Sequence, residues 1–192
     1  MLNITAQTAG LREMMQPLAA FGERLPNAQA NALNRTLTKT RSAVLPVLVR
    51  QTGLAKRIID KAMRTARASP QNPRVAIITR GGEVSLRYFG AHEVAGGVEA
   101  TVRGKKDFIA GGFRRSGPRG RRTMVTKLND QAFINVDGGR WRGKIMKEKS
   151  GVFIPYDLVS GQTAATFNRM VETDLLQEVE REMAWLLPAG GR

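Results

Sequence analysis

The apolar positions along the chain change period twice, dividing it into a helical arm, a run of strands and a closing helix. From Asn27 to Ser69 the period is helical. Ala28, Ala32, Leu33, Thr36, Leu37, Thr40, Val44, Leu45 and Leu48 recur at spacings of three and four. That places them on one helix face, with Asn34, Arg35, Thr38 and Arg41 on the other. Leu25-Pro26-Asn27 opens the helix, because proline is tolerated in a first turn. Pro46 removes a backbone donor inside the pattern and predicts a kink, or an end near Leu45. Thr52-Gly53 reads as a cap or hinge before a second helix, Leu54 to about Arg67. That helix carries Leu54, Ile58 and Ala62 on one line, and Lys56, Lys61, Arg64 and Arg67 outward.

Ahead of the arm, Leu2-Asn3-Ile4 reads as a short edge strand. Thr8 to about Phe21 reads as a helix with Leu11, Met14, Met15, Leu18 and Phe21 inward. After it, Ser69 to Pro73 is a break and the period becomes two. Val75 to Thr79, Val84 to Phe89 and Val98 to Arg103 are predicted strands, the first two joined by a turn at Arg80-Gly81-Gly82-Glu83. Ala132 to Val136 and Arg140 to Lys147 flank the hairpin turn Asp137-Gly138-Gly139, and Val152 to Tyr156 is a further strand. From about Gln162 to Leu187 the helical period returns. Phe167, Val171, Leu175, Val179 and Met183 form an i, i+4 stripe predicted to be buried, with Asp174, Glu178, Glu180 and Glu182 covering the outside.

The predicted fold class is α+β. N-terminal helices and a long C-terminal amphipathic helix pack on an antiparallel β-sheet that carries a flexible basic Arg/Gly loop. The chain divides into a strand and helix segment (1–26), a basic helical arm (27–69) and a sheet region (70–192). The last includes the loop (103–127) and the closing helix (162–187), and the whole makes a single structural domain of 192 residues.

Charge changes this picture most. The net charge is +15 and the isoelectric point near 11.3, a surface that attracts polyanions. Arg103 to Lys127 alone holds nine basic residues and one acid, Asp107, for +8 over 25 positions. Its centre, with Arg114, Arg115, Arg119, Arg121 and Arg122 among glycines, reads as an irregular loop that contacts a polyanion, DNA or a neighbouring protein without sequence preference. The segment from Asp157 to Pro188 has six acids against two bases, so the chain is polarised.

Catalytic chemistry is poorly supplied. With no cysteine and one histidine, His92, the sequence offers no metal-ligand set and no thiol nucleophile. It has no phosphate-binding glycine motif and no nucleophile elbow, so neither an enzyme nor a cofactor is expected. No apolar run is long enough for a membrane span, and MLNITAQTAG lacks the basic start and apolar stretch of a signal peptide.

Two stretches carry a resemblance. ALNRTLTKTRSAVLPVLVRQTGLAKRIIDKAMRTARASPQNPRVAIITRGG follows an AxNR helix with a basic helix, an N-P-R break and a strand. Later come AFINV, then GGRWRGKIMKEKSGVFIPYDLVS, then TAATFNRMVETDLLQEVEREMAWLL. In this order the segments resemble the minor tail protein Z family of long-tailed bacteriophages, over about Ala28 to Leu187. The second helix is less basic and the closing helix more acidic than the family pattern. The resemblance implies a structural virion protein that completes the tail at its head-proximal end. It further implies a homo-oligomer, hexameric by tail symmetry, with the tail terminator, tail tube and neck proteins as partners, phage DNA nearby and no membrane. The acidic helix of one subunit is then expected against the basic arm of the next. A general sequence-independent nucleic-acid-binding protein is the other reading of the same charge.

Overall fold

A 29-residue helix, α1 (Arg24–Thr52), forms the centre of the computed structural model, which describes residues 2–5, 22, 24–117, 123–124, 129–136 and 144–186. The apolar stripe read from the sequence is its buried face: Leu33, Val44 and Leu48 are each almost wholly excluded from water. Two layers cover that face. On one side lies a three-stranded antiparallel sheet in the order β1 (Leu2–Thr5), β3 (Ala76–Thr79), β2 (Met63–Ala66). Leu2 and Met63 both stand opposite Thr79, so β1 and β2 pair with the two edges of β3. On the other side lies α4 (Gly161–Leu186), which runs antiparallel to α1.

Between these, α2 (Lys56–Ala62) links α1 to β2, and α3 (Ile154–Leu158) precedes α4. A second antiparallel sheet joins β4 (His92–Val94), β5 (Gly97–Val102) and β6 (Lys105–Ala110). Two smaller pairs follow: β7 (Arg115–Ser116) with β8 (Thr123–Met124), and β9 (Phe133–Asn135) with β10 (Ile145–Lys147). One apolar core runs through α1, Ile77 of β3, Leu86 and Phe89, Val98 of β5, Leu158 of α3 and Phe167 of α4.

The α+β class holds, and several element boundaries move for identifiable reasons. Pro46 neither ends nor breaks α1. It lies on the exposed side of the helix, as does Ser42, whose carbonyl loses its helical donor there and can bind water instead. The second helix stops at Ala62, because Met63 adopts extended geometry and turns its side chain into the core while Met63–Ala66 pairs with β3. Pairing with a neighbouring strand here outweighs local helical preference.

Val84 to Phe89 is not a strand. Leu86 and Phe89 are both buried at a spacing of three, and Leu86–Phe89 is a 3-10 turn. Val152 to Tyr156 is likewise overturned: Pro155 enters the first turn of α3, and Ile154 and Leu158 are buried one helical turn apart. The basic stretch expected to be irregular begins as strand β6. Arg103 and Gly104 both have positive φ, 51° and 74°, the geometry of a two-residue hairpin turn, and Val102 stands opposite Lys105. The predicted helix at Thr8–Phe21, the turn at Asp137-Gly138-Gly139 and Trp141 lie outside the described residues.

On α4, Phe167 and Val179 are buried, while Val171, Leu175 and Met183 are partly buried against the core. A carboxylate in the stripe strands a charge in an apolar contact. Val171→Asp and Val179→Asp are each expected to destabilise by about 3 kcal/mol or more, read as a lowered melting temperature. A melting temperature unchanged in both variants would contradict the packing of α4 on α1.

Candidate charged interface

Three groups of charges tie distant elements together, single pairs such as Arg41 with Asp60 add to them, and other cations face outward. The first joins α1 to α4. Glu178 and Glu182, expected outside, are turned inward and buried, with only 3% of the Glu178 side chain exposed. Arg35 reaches Glu182 at 2.6 Å and Glu178 at 3.7 Å, and Lys39 reaches Glu178 at 2.7 Å. The acidic helix therefore lies against the basic arm of its own chain, and this complementarity is met within one subunit. Hydrogen bonding to Lys39 holds the Glu178 carboxyl below its ordinary value of 4.5, against the opposing pull of burial, with Arg181 and Arg35 adding to the effect.

The second group closes the end of α1. Asp157 of α3 is 2% exposed at its side chain and receives a two-pronged contact from Arg103, at 2.8 and 3.0 Å. Gln51 donates to the Asp157 carbonyl at 3.0 Å, and its own side-chain oxygen accepts from the Thr163 hydroxyl at 2.9 Å. Four elements thus meet at one point: α1, the β5–β6 turn, α3 and the start of α4. Gly53 makes this approach possible. It has φ +76°, and a Cβ there would stand 3.0 Å from the Arg103 backbone nitrogen.

The third group roots the Arg/Gly segment. The Arg114 guanidinium pairs with Asp130 and donates to the Ala91 carbonyl, and its side chain is 13% exposed. Glu93 accepts from the backbone N–H groups of Arg114 and Arg115. Phe113 bridges to Phe133 through paired backbone bonds at 2.8 and 2.9 Å. Arg115 is exposed at the start of β7, while Arg119, Arg121 and Arg122 lie outside the described residues. The five arginines grouped by the sequence are therefore not equivalent, since Arg114 is bound into the fold.

The outward remainder includes Lys56, Arg57 and Lys61 along α2, Arg64 on β2 and Arg67 just after it. His92 is exposed at the start of β4 and its ring contacts the Gly90 carbonyl at 3.0 Å. Among the described residues, no group of three or more His, Cys, Asp or Glu side chains is placed to hold a metal ion. Nor is any described helix long and apolar enough to cross a membrane.

The cations that face outward along α2 and β2 have no described acid bound to them, and Asp60 of α2 is taken by Arg41 of α1. The family model for prophage minor tail protein Z (GPZ) matches residues 9–188. The chain belongs to that family. It matches no curated protein and no solved structure. As a minor tail protein Z it is a structural component of the phage tail. The match takes in α1, both three-stranded sheets except for β1, and α4.

Sequence patterning missed the Gln51–Arg103–Asp157 network, because Arg103 and Asp157 stand 54 residues apart and no local spacing joins them. The one available signal was Arg103-Gly104 between two alternating runs, a hairpin turn that aims its first residue back at the body of the protein.

The two ends of the Arg103–Asp157 pair are unequally exposed, which predicts unequal substitution costs. Arg103→Ala leaves the Asp157 carboxylate buried without its cation and should cost about 3–5 kcal/mol. Asp157→Ala leaves Arg103, 41% exposed at its side chain, able to find water and should cost about 2–3 kcal/mol. Urea unfolding of both variants checks the order. Glu178 predicts a pH effect. Its carboxyl is lowered on folding, so its stabilising effect is complete above an ordinary value of 4.5 and fades as pH falls through the lower folded value. Glu178→Gln should therefore melt below the wild type at neutral pH, by about 1–2 kcal/mol, with the two curves converging as acid is added below that value.

Proposed function

We propose that this minor tail protein completes the tail at its head-proximal end, as a ring at the head–tail junction, in contact with the terminator, tube and neck proteins. The family match across residues 9–188 is the observation that carries this reading. Sixfold tail symmetry makes a hexamer the expected ring, built from heterologous contacts that close. The distribution of charge supports it: Glu178, Glu182 and Asp157 are used inside the subunit, which leaves a net +15 chain with cations outward, suited to DNA or acidic neighbours.

A general nucleic-acid-binding role shares that charge, and the two readings part in the particle. Reconstruction of purified tails should show density for this chain at the head-proximal end. Density at the distal tip, or no copy in the particle, would remove the completion role.

The Arg/Gly segment is proposed to meet a polyanion at that junction. Because Arg114 holds Asp130 and the Ala91 carbonyl, the informative variant changes Arg119, Arg121 and Arg122 to Ser and keeps Arg114. It should fold and enter tails, yet give particles with poor DNA seating or weak joining to heads. Arg114→Ser should instead lower the melting temperature. If the triple variant infects like wild type, the segment is a solvated connector.

A further inference from the structure

Between α1 and the outer edge of β2 runs a groove that neither the helix packing nor the sheet occupies. Leu37 and Met63 line it, and both are buried. Thr38 and Ser42 flank it on the helix side, and Arg64, Thr65 and Arg67 on the strand side. Two contacts fix its width. The Asn34 side chain accepts from the Ala68 N–H at 2.9 Å and donates to the Ala68 carbonyl at 3.0 Å, and Arg41 pairs with Asp60 of α2. A second depression shares Thr38 and Arg67 with the groove and extends the basic surface to Lys39 and Arg181.

Two properties of β2 define what fits. It is an edge strand, paired with β3 alone among the described residues. Alternate residues of such a strand point both N–H and C=O away from the sheet, so the edge offers donors and acceptors in turn. Arg64 and Arg67 are exposed, and among the described residues neither side chain has an ion-pair or hydrogen-bond partner.

We propose that this groove receives an acidic, extended segment of another protein, which adds to β2 as a fourth strand and places carboxylates on Arg64 and Arg67. The inference stands on the groove and does not depend on the position of the protein in the tail. A peptide backbone matches the alternating donors and acceptors of the edge, whereas a phosphate backbone supplies acceptors only. Among the described residues no aromatic side chain lines either depression, so they supply no stacking platform of the kind a single-strand nucleic-acid site uses. Arg64 and Arg67 also repel a basic strand and offer a neutral one no ion pair, which makes the site selective for acid. Of a second copy's exposed acids, Glu172 and Glu180 lie on helix α4, and Asp107 on edge strand β6 follows Lys105 and Lys106, so that strand is basic rather than acidic.

The test uses the full chain and three probes: a peptide alternating Glu with Val or Thr, the same peptide with Lys for Glu, and a short DNA duplex. Binding is read by fluorescence anisotropy, and the edge by hydrogen exchange over Met63–Ala66. The acidic peptide should bind and slow exchange in β2. The Lys peptide should not bind. N-methylation of the acidic peptide at the residues that face β2 should abolish binding. Arg64→Ser with Arg67→Ser should weaken the acidic peptide roughly tenfold or more, since each substitution removes a charge-assisted hydrogen bond to a carboxylate. An unchanged melting temperature will separate this weakening from unfolding, and Lys substitution at both positions should restore part of the binding. Failure of the acidic peptide to bind, or binding insensitive to N-methylation, would overturn the proposal. So would duplex binding that slows exchange in β2 where the peptide does not, or concentration-dependent protection of β2 without any probe, which would assign the edge to a second copy.

Discussion

Burial of α1 on two sides is the constraint on which the rest depends. A helix with one apolar face needs a single cover, but the stripe from Ala28 to Leu48 is wide enough to meet both a sheet and a second helix. Each fully buried Leu or Val contributes about 1.5–3 kcal/mol, so removing either layer takes away several such contributions. The sheet supplies Ile77, and α4 supplies Phe167 and Val179. The helices also share a polar seam, in which Arg35 and Lys39 hold Glu178 and Glu182. Sliding α4 by one turn along α1 would separate those charges from their partners. The seam therefore sets the register that the apolar contact alone leaves loose.

The same economy of charge shapes the outer surface. Acids are used where elements must be held together: Asp157 under Arg103, Asp130 against Arg114, Asp60 against Arg41. Arginines that are not so used face outward along α2 and β2. In the role proposed above, a minor tail protein of this family must join other subunits while keeping its own shape. Internal pairing of the acids meets both needs, since the cations that remain are presented by rigid elements.

Legibility in the sequence follows the range of the interactions. Long periodic stretches are clear: patterning locates α1 and α4 to within a few residues, and the Phe167 to Met183 stripe is the contact face. Short elements read poorly, because four to six residues hold too few positions to separate periods. Leu86 to Phe89 shows this, with alternation on paper and two buried residues three apart in space. By residue type alone, Glu178 and Glu182 belong outside. Their burial follows from Arg35 and Lys39, which are more than a hundred positions distant in sequence. Within the Arg/Gly segment, composition puts Arg114 with its neighbours. Only the positions of Asp130 and the Ala91 carbonyl separate it from them.

The antiparallel pairing of α1 with α4 also governs how the chain matures. The stripe on α1 is complete once the chain has been made to Thr52, but its cover from α4 reaches Thr163 to Glu182. At typical synthesis rates the intervening chain takes on the order of ten seconds to appear, during which the apolar face of α1 has no partner helix. Folding must then wait for the last helix, and contacts this far apart in sequence close slowly. Until then the part of the α1 face that α4 covers stays open to other apolar surfaces, while β2 and β3 can already cover its other side. Any shortening that removes α4 releases a sticky helix rather than a smaller domain.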